Sequence, residues 1–160
     1  MLKRLFVFIS IVSSGFLFFQ PNLLAAGSGG GTKNLDASSA SANYQKGKKA
    51  VDSQNYRKAI DFLSKADRET PNDADINNLL GYSHRKVGEF KSSLAYYKRA
   101  LAINPNHRGA NEYIGELYLQ TGNIEKAEAH LKVLDKVCLW GCEEYNDLKE
   151  AITQYKKRNK

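Results

Sequence analysis

The chain has 160 residues, 42% of them hydrophobic and 26% charged, with 24 Lys and Arg against 17 Asp and Glu. That balance excludes a wholly disordered polymer, which would bury too little apolar surface to offset the entropy of ordering, and the length suits one main folded unit. The formal charge of +7 is scattered along the sequence. A nucleic-acid footprint needs a clustered basic stripe, so nucleic acid is excluded as a partner class.

Residues 1–26 open with Lys3 and Arg4, continue through an apolar run from Leu5 to Phe19, and close in the small residues Ala25 and Ala26. This is the anatomy of a signal peptide, with cleavage expected near Ala26. The run is shorter than the roughly 20 residues of a spanning helix. No stable membrane span is therefore expected after cleavage, an uncleaved N-terminal anchor being the alternative. No cysteine stands near the junction to carry a lipid. The expected destination is the periplasm, with secretion or anchoring as alternatives. Residues 27–42, GSGGGTKNLDASSASA, are almost free of large apolar side chains and read as a flexible Gly/Ser/Ala linker.

From Asn43 onward the sequence repeats at a step of 34. Gly47, Gly81 and Gly115 align, as do Tyr56, Phe90 and Ile124; Ala59, Ser93 and Ala127; Leu63, Tyr97 and Leu131; and Ala66, Ala100 and Leu134. Pro71 and Pro105 close the first two periods, and Leu139 stands at the third such place. Apolar residues at helical spacing between these marks make each period a helix, a turn and a second helix. Gly88 and Gly122 supply turns, and the prolines stop second helices because proline forfeits a hydrogen bond and clashes with the preceding turn. A glycine inside a helix costs about 1 kcal/mol relative to alanine. Close packing of the second helix, with its alanine or serine facing the glycine, is the expected offset.

These residues resemble the tetratricopeptide repeat family, whose pattern is met at Gly81, Phe90, Ser93, Ala100 and Pro105. The resemblance covers residues 43–137 and implies an all-α solenoid of three helix-turn-helix repeats. The first repeat departs from the pattern, with Gln54 in place of a turn glycine and Lys46 where its sisters have Leu80 and Ile114; the third lacks the closing proline. Residues 138–157 read as a cysteine-bearing turn and a capping helix, with Tyr145, Leu148, Ile152 and Tyr155 on one face, and residues 158–160 as a basic tail.

Cys138 and Cys142 are the only cysteines. An even count in an exported chain points to a disulfide, a staple for the turn into the capping helix; a redox pair, a metal site and free thiols are the alternatives. His84, His107 and His130 lie 23 residues apart, never at the spacing that joins two ligands on one helix, and His84 reads as a partly buried structural residue. No glycine-rich phosphate loop, zinc-ligand set or serine nucleophile motif occurs. The expectation is a non-enzyme without metal or cofactor.

The resemblance further implies that first helices line a concave groove. Carried over by position, the groove takes Tyr44 and Lys48 from the first repeat, Asn78, Tyr82 and Arg85 from the second, and Glu112 and Glu116 from the third. An aromatic and basic half beside an acidic half suits a peptide bearing both signs of charge. The lysine and asparagine set with which some relatives clamp a C-terminal carboxylate is not reproduced, since Tyr44 stands where a lysine is expected. The expected function is a protein-protein interaction adaptor for a segment of an envelope protein. The alternatives are a self-associating scaffold, a homodimer pairing through the first repeat, and a thiol redox protein.

Overall fold

A computed structural model describes residues 41–159. The signal-peptide reading and most of the linker reading fall on residues 1–40, outside the described ones. Among the described residues there are seven helices and no strand: α1 (Ala42–Asp52), α2 (Tyr56–Glu69), α3 (Ala74–Lys86), α4 (Phe90–Ile103), α5 (Arg108–Gln120), α6 (Ile124–Val137) and α7 (Glu143–Arg158). Helix α1 takes up Ala42, with Ser41 as its cap, so these two residues belong to the fold rather than to the linker. No helix among the described residues is long and apolar enough to cross a membrane.

Five of the seven helices start where a side chain accepts from their free N–H groups, α4 and α7 being the two without such a bond. Ser41, Asn55, Asp73 and Asn123 accept from the backbone N–H three residues on, at 3.1, 3.4, 3.0 and 3.2 Å, and His107 Nδ1 accepts from Ala110 at 3.0 Å. Within each pair the turn passes through the left-handed region, at Gly88 (φ +83°), Gly122 (φ +78°) and, in the first pair, Gln54 (φ +56°). Helices α2 and α4 end two residues before Pro71 and Pro105.

α1 packs on α2, α3 on α4 and α5 on α6; α2 meets α3, α4 meets α5, and α7 lies against α5 and α6. This is an all-α helical repeat solenoid closed at one end by α7. The core runs through Leu63, Leu80, Tyr97, Ile114, Leu117 and Leu134, all buried, and continues into Leu148 and Ile152 of α7. Burying each such side chain contributes about 1.5–3 kcal/mol.

The periodic glycines do face a close neighbour, but not the small residue expected. A Cβ on Gly47 would stand 2.6 Å from Leu63 Cγ, and one on Gly81 would stand 2.5 Å from Cδ1 of Tyr97. The large side chains of α2 and α4 fill the notches. The alanines and serine at positions 59, 93 and 127 are fully buried. In the third repeat the notch at Gly115 receives Leu148 of α7, whose Cδ2 would lie 2.6 Å from the added atom.

Candidate functional site

Helices α1, α3 and α5 are the first members of the three pairs, and α3 touches both of the others. By repeat position, the seven residues carried over above are expected on a side these helices share. The structure brings three of these into one cluster. The Arg85 guanidinium lies 5.4 Å from the Tyr82 ring centroid, and its Nη2 meets Glu116 Oε2 at 2.6 Å. Tyr113 joins them, its ring 4.9 Å from Tyr82 and 5.6 Å from Arg85, and Tyr56 approaches Tyr82 edge-on at 5.9 Å. Tyrosine rings under an arginine give large contact area with few rotatable bonds.

The cluster changes the expected electrostatics. Arg85 is not a free cation of a basic half: its side chain is only 8% exposed and is neutralised by Glu116. Nor is Glu112 a plain member of an acidic half. It is buried, and burial, reinforced by Glu116, Asp147 and Glu144, pushes its carboxyl up to about 8, so at neutral pH it mostly holds its proton. Tyr113 is pushed up to about 12 by burial and by Glu112. The middle of the surface is thus aromatic and internally neutralised. Lys48, exposed on α1, is the expected basic residue that stays in solvent. Tyr44 is half-buried and packs against the core cluster of the first pair, and Asn78 is buried with its Oδ1 unpartnered, so these two act more as walls than as contact points.

Beside this cluster, Arg85, Glu116, Leu119 and Gln120 meet Ala151, Gln154, Tyr155 and Arg158 of α7 around a cleft of about 290 Å³. The contribution of α7 was not foreseen. Its signal was present in Glu144 and Asp147, but nothing in a one-dimensional pattern says which way a capping helix turns its acids. Tyr56 and Tyr113 were missed for a related reason: each has a packing role at its repeat position, and their convergence on Tyr82 depends on how pairs stack.

Elsewhere, His84 Nδ1 bonds Glu89 Oε2 at 2.6 Å while its ring stacks on Tyr96, a structural histidine as expected. Cys138 and Cys142 come together across the turn into α7 with Cα atoms 5.6 Å apart, a separation suited to a disulfide. Glu144 brings a carboxylate oxygen within 4.8 Å of both sulfurs, a third donor that the spacing of the cysteines did not reveal.

Comparison with known proteins agrees with this fold. Two sequence profiles described as Tetratricopeptide repeat match, over residues 44–107 and 84–137, so that together they span the six paired helices. The chain belongs to the tetratricopeptide repeat family. Curated relatives include the uncharacterized protein ycf37 of Guillardia theta, 28% identical over 81 residues (50% of this chain, 44% of the relative), and that of Pyropia yezoensis, 31% identical over 64 residues (40% and 34%). The matched part of the chain spans less than half the length of either relative. Among solved structures, the first TPR of Spaghetti (RPAP3) bound to the HSP90 peptide SRMEEVD aligns with a TM-score of 0.63 at 19% identity, over 72% of this chain and 90% of that one. The Sgt2 TPR domain from Aspergillus fumigatus aligns with a TM-score of 0.65 at 15% identity, over 73% and 76%. At those identities the likeness establishes the fold.

Proposed function

We propose that this protein is a non-catalytic adaptor that holds a segment of a partner protein on the side formed by α1, α3 and α5. The observation that carries the reading is the Tyr56, Tyr82, Tyr113 and Arg85 cluster, an aromatic surface whose charges are already paired. Such a surface favours a segment presenting apolar or aromatic side chains, with a basic residue toward Glu112, rather than the evenly two-signed peptide expected from composition. A structural neighbour at fold level holds an HSP90 peptide, which supports peptide binding as a use of this architecture. The partner is an envelope protein and the adaptor is exported to the periplasm, readings that rest on the leader-like residues 1–26. Cys138 and Cys142 form a disulfide that staples the turn into α7, in keeping with an oxidising compartment.

The test is capture from the native envelope with the wild type and with a Tyr82→Ala, Lys48→Glu variant. Lys48 is exposed, whereas Tyr82 packs on Arg85 of the buried ion pair, so circular dichroism first checks that the variant keeps its helices. One partner lost selectively from the variant supports the groove. An identical set of captured proteins removes it. Thiol titration of the purified protein, before and after reduction, tests the staple.

A further inference from the structure

The three repeats are not equivalent at one place, and the difference defines a binding slot. The period aligns Ala50, His84 and Tyr118 on the first helices, and Phe62, Tyr96 and His130 on the second helices. In the second repeat the two rings stack, His84 on Tyr96 with centroids 5.2 Å apart and planes at 11°; in the third, Tyr118 stacks on His130 at 5.8 Å and 19°. In the first repeat Ala50 brings no ring. The Phe62 side chain instead lines an open cleft of about 360 Å³ with Ala50, Lys46, Lys49, Ser53, Asn55 and Lys58.

That cleft is cationic as well as aromatic. The ammonium groups of Lys46, Lys58 and Lys65 stand 5.8, 6.0 and 5.6 Å from the Phe62 centroid. Lys46 and Lys49 occupy positions that are buried in the later repeats, as Leu80 and Ser83 and as Ile114 and Leu117. A two-fold pairing of this face with itself would press like charges together, which disfavours a symmetric dimer through the first repeat. The slot asks for a flat ring flanked by carboxylates.

The other end of the same chain presents that combination. Trp140, the single tryptophan, is 98% exposed, and its neighbour Leu139 is 81% exposed. An indole held wholly in water, on a turn closed by Cys138 and Cys142, is surface available for burial. It is followed at once by Glu143, Glu144, Asp147 and Glu150, with Lys149 the one cation in that half of α7. The slot lies on α1 and α2, the indole beyond α6, at opposite ends of the solenoid.

We propose that the protein associates head to tail, Trp140 of one copy stacking on Phe62 of the next while the acidic start of α7 faces the lysines around the slot. Each copy offers one slot and one indole. The contact therefore joins unlike surfaces, which propagates into a filament unless the rotation between copies closes a ring. The slot uses none of the Tyr56, Tyr82, Tyr113 and Arg85 cluster, and so does not depend on the groove reading above.

The experiment uses protein expressed from the full sequence, followed by sedimentation velocity and by acrylamide quenching of Trp140 fluorescence across a concentration series. The expected result is a mass that grows with concentration, quenching that falls in step, and reversal of both by high salt, which screens the charge complementarity. Trp140→Ala, and separately Lys46→Glu with Lys49→Glu, should each weaken association on the order of tenfold or more, as loss of an interface anchor does. Glu143→Lys with Asp147→Lys should do the same. All five positions are exposed, so the fold should be unaffected. Mixing the two charge-reversed proteins should restore association, because an acidic slot then meets a basic turn. A protein that stays monomeric with Trp140 equally quenched at every concentration overturns the proposal and leaves the slot to an acidic, aromatic segment of another protein. Association insensitive to all these changes overturns it as well, placing the contact elsewhere.

Discussion

Arg85 of α3 and Glu116 of α5 join the second repeat to the third through a 2.6 Å ion pair in which the arginine side chain is only 8% exposed. A pair this buried gains strong attraction but has given up the hydration of its charges, so losing one partner costs more than losing both. Glu116→Gln should lower stability by about 3 kcal/mol, the scale for a buried charge left uncompensated. Arg85→Met combined with Glu116→Leu should come much closer to wild type. Urea unfolding of the two variants checks the order, and equal losses would mean that the pair is solvated in solution.

The first turn carries a strain that its sisters avoid. Gln54 sits at φ +56° where Gly88 and Gly122 hold the equivalent corner. A side chain in the left-handed region costs roughly 1–2 kcal/mol, partly returned by the smaller entropy loss of a non-glycine residue on folding. Gln54→Gly should therefore stabilise by about 1 kcal/mol, visible as a higher urea midpoint at unchanged slope.

At Gly81 the opposite substitution is informative. Alanine is the better helix former by about 1 kcal/mol, yet its methyl would stand 2.5 Å from Tyr97 Cδ1, and that ring is fully buried with nowhere to retreat. Overpacking should win, and Gly81→Ala should lose about 2 kcal/mol by thermal or urea unfolding. A gain would show that the α3 and α4 backbones separate freely.

Glu112 makes a prediction in pH. Its carboxyl holds a proton up to about 8 in the folded protein, against an ordinary value of 4.5, because of burial and the acids around it. The folded state then binds more protons than the unfolded state between those values, so this residue's contribution to stability falls as pH rises from 4.5 toward about 8 and is level on either side. Glu112→Gln should remove that slope, so the stability difference between variant and wild type should grow in favour of the variant across the window. Binding of a basic side chain beside Glu112 should release a proton, which calorimetry in buffers of different ionisation enthalpy would detect.

The fold was legible because most of the repeat boundaries are punctuated in the sequence. Gly88 and Gly122 mark corners that need positive φ, Pro71 and Pro105 mark places a helix cannot pass, and the step of 34 ties these marks together. The candidate site was only partly legible. Which residues belong to first helices follows from the period, so Tyr82, Arg85 and Glu116 were placed on one surface. Their pairing does not follow. Arg85 and Glu116 stand 31 positions apart on different helices, and whether they meet depends on how α3 and α5 are rotated and offset, which no local pattern encodes. The raised titration of Glu112 was further out of reach, because it depends first on how deeply the stacked helices bury it, then on Glu116 and on two acids of α7 brought in by the docking of the last helix.

Gly115 differs from its two counterparts in what fills it. Gly47 and Gly81 are filled from within their own helix pairs, by Leu63 and Tyr97, whereas Gly115 is filled by Leu148 from outside its pair. The third repeat is thus a lock whose key is the helix that follows. A chain ending after Val137 would leave that lock open, and the number of repeats in this array is set less by the repeats than by the piece that happens to arrive after them. Lengthening the solenoid would require inserting new repeats ahead of α7, with its key kept last.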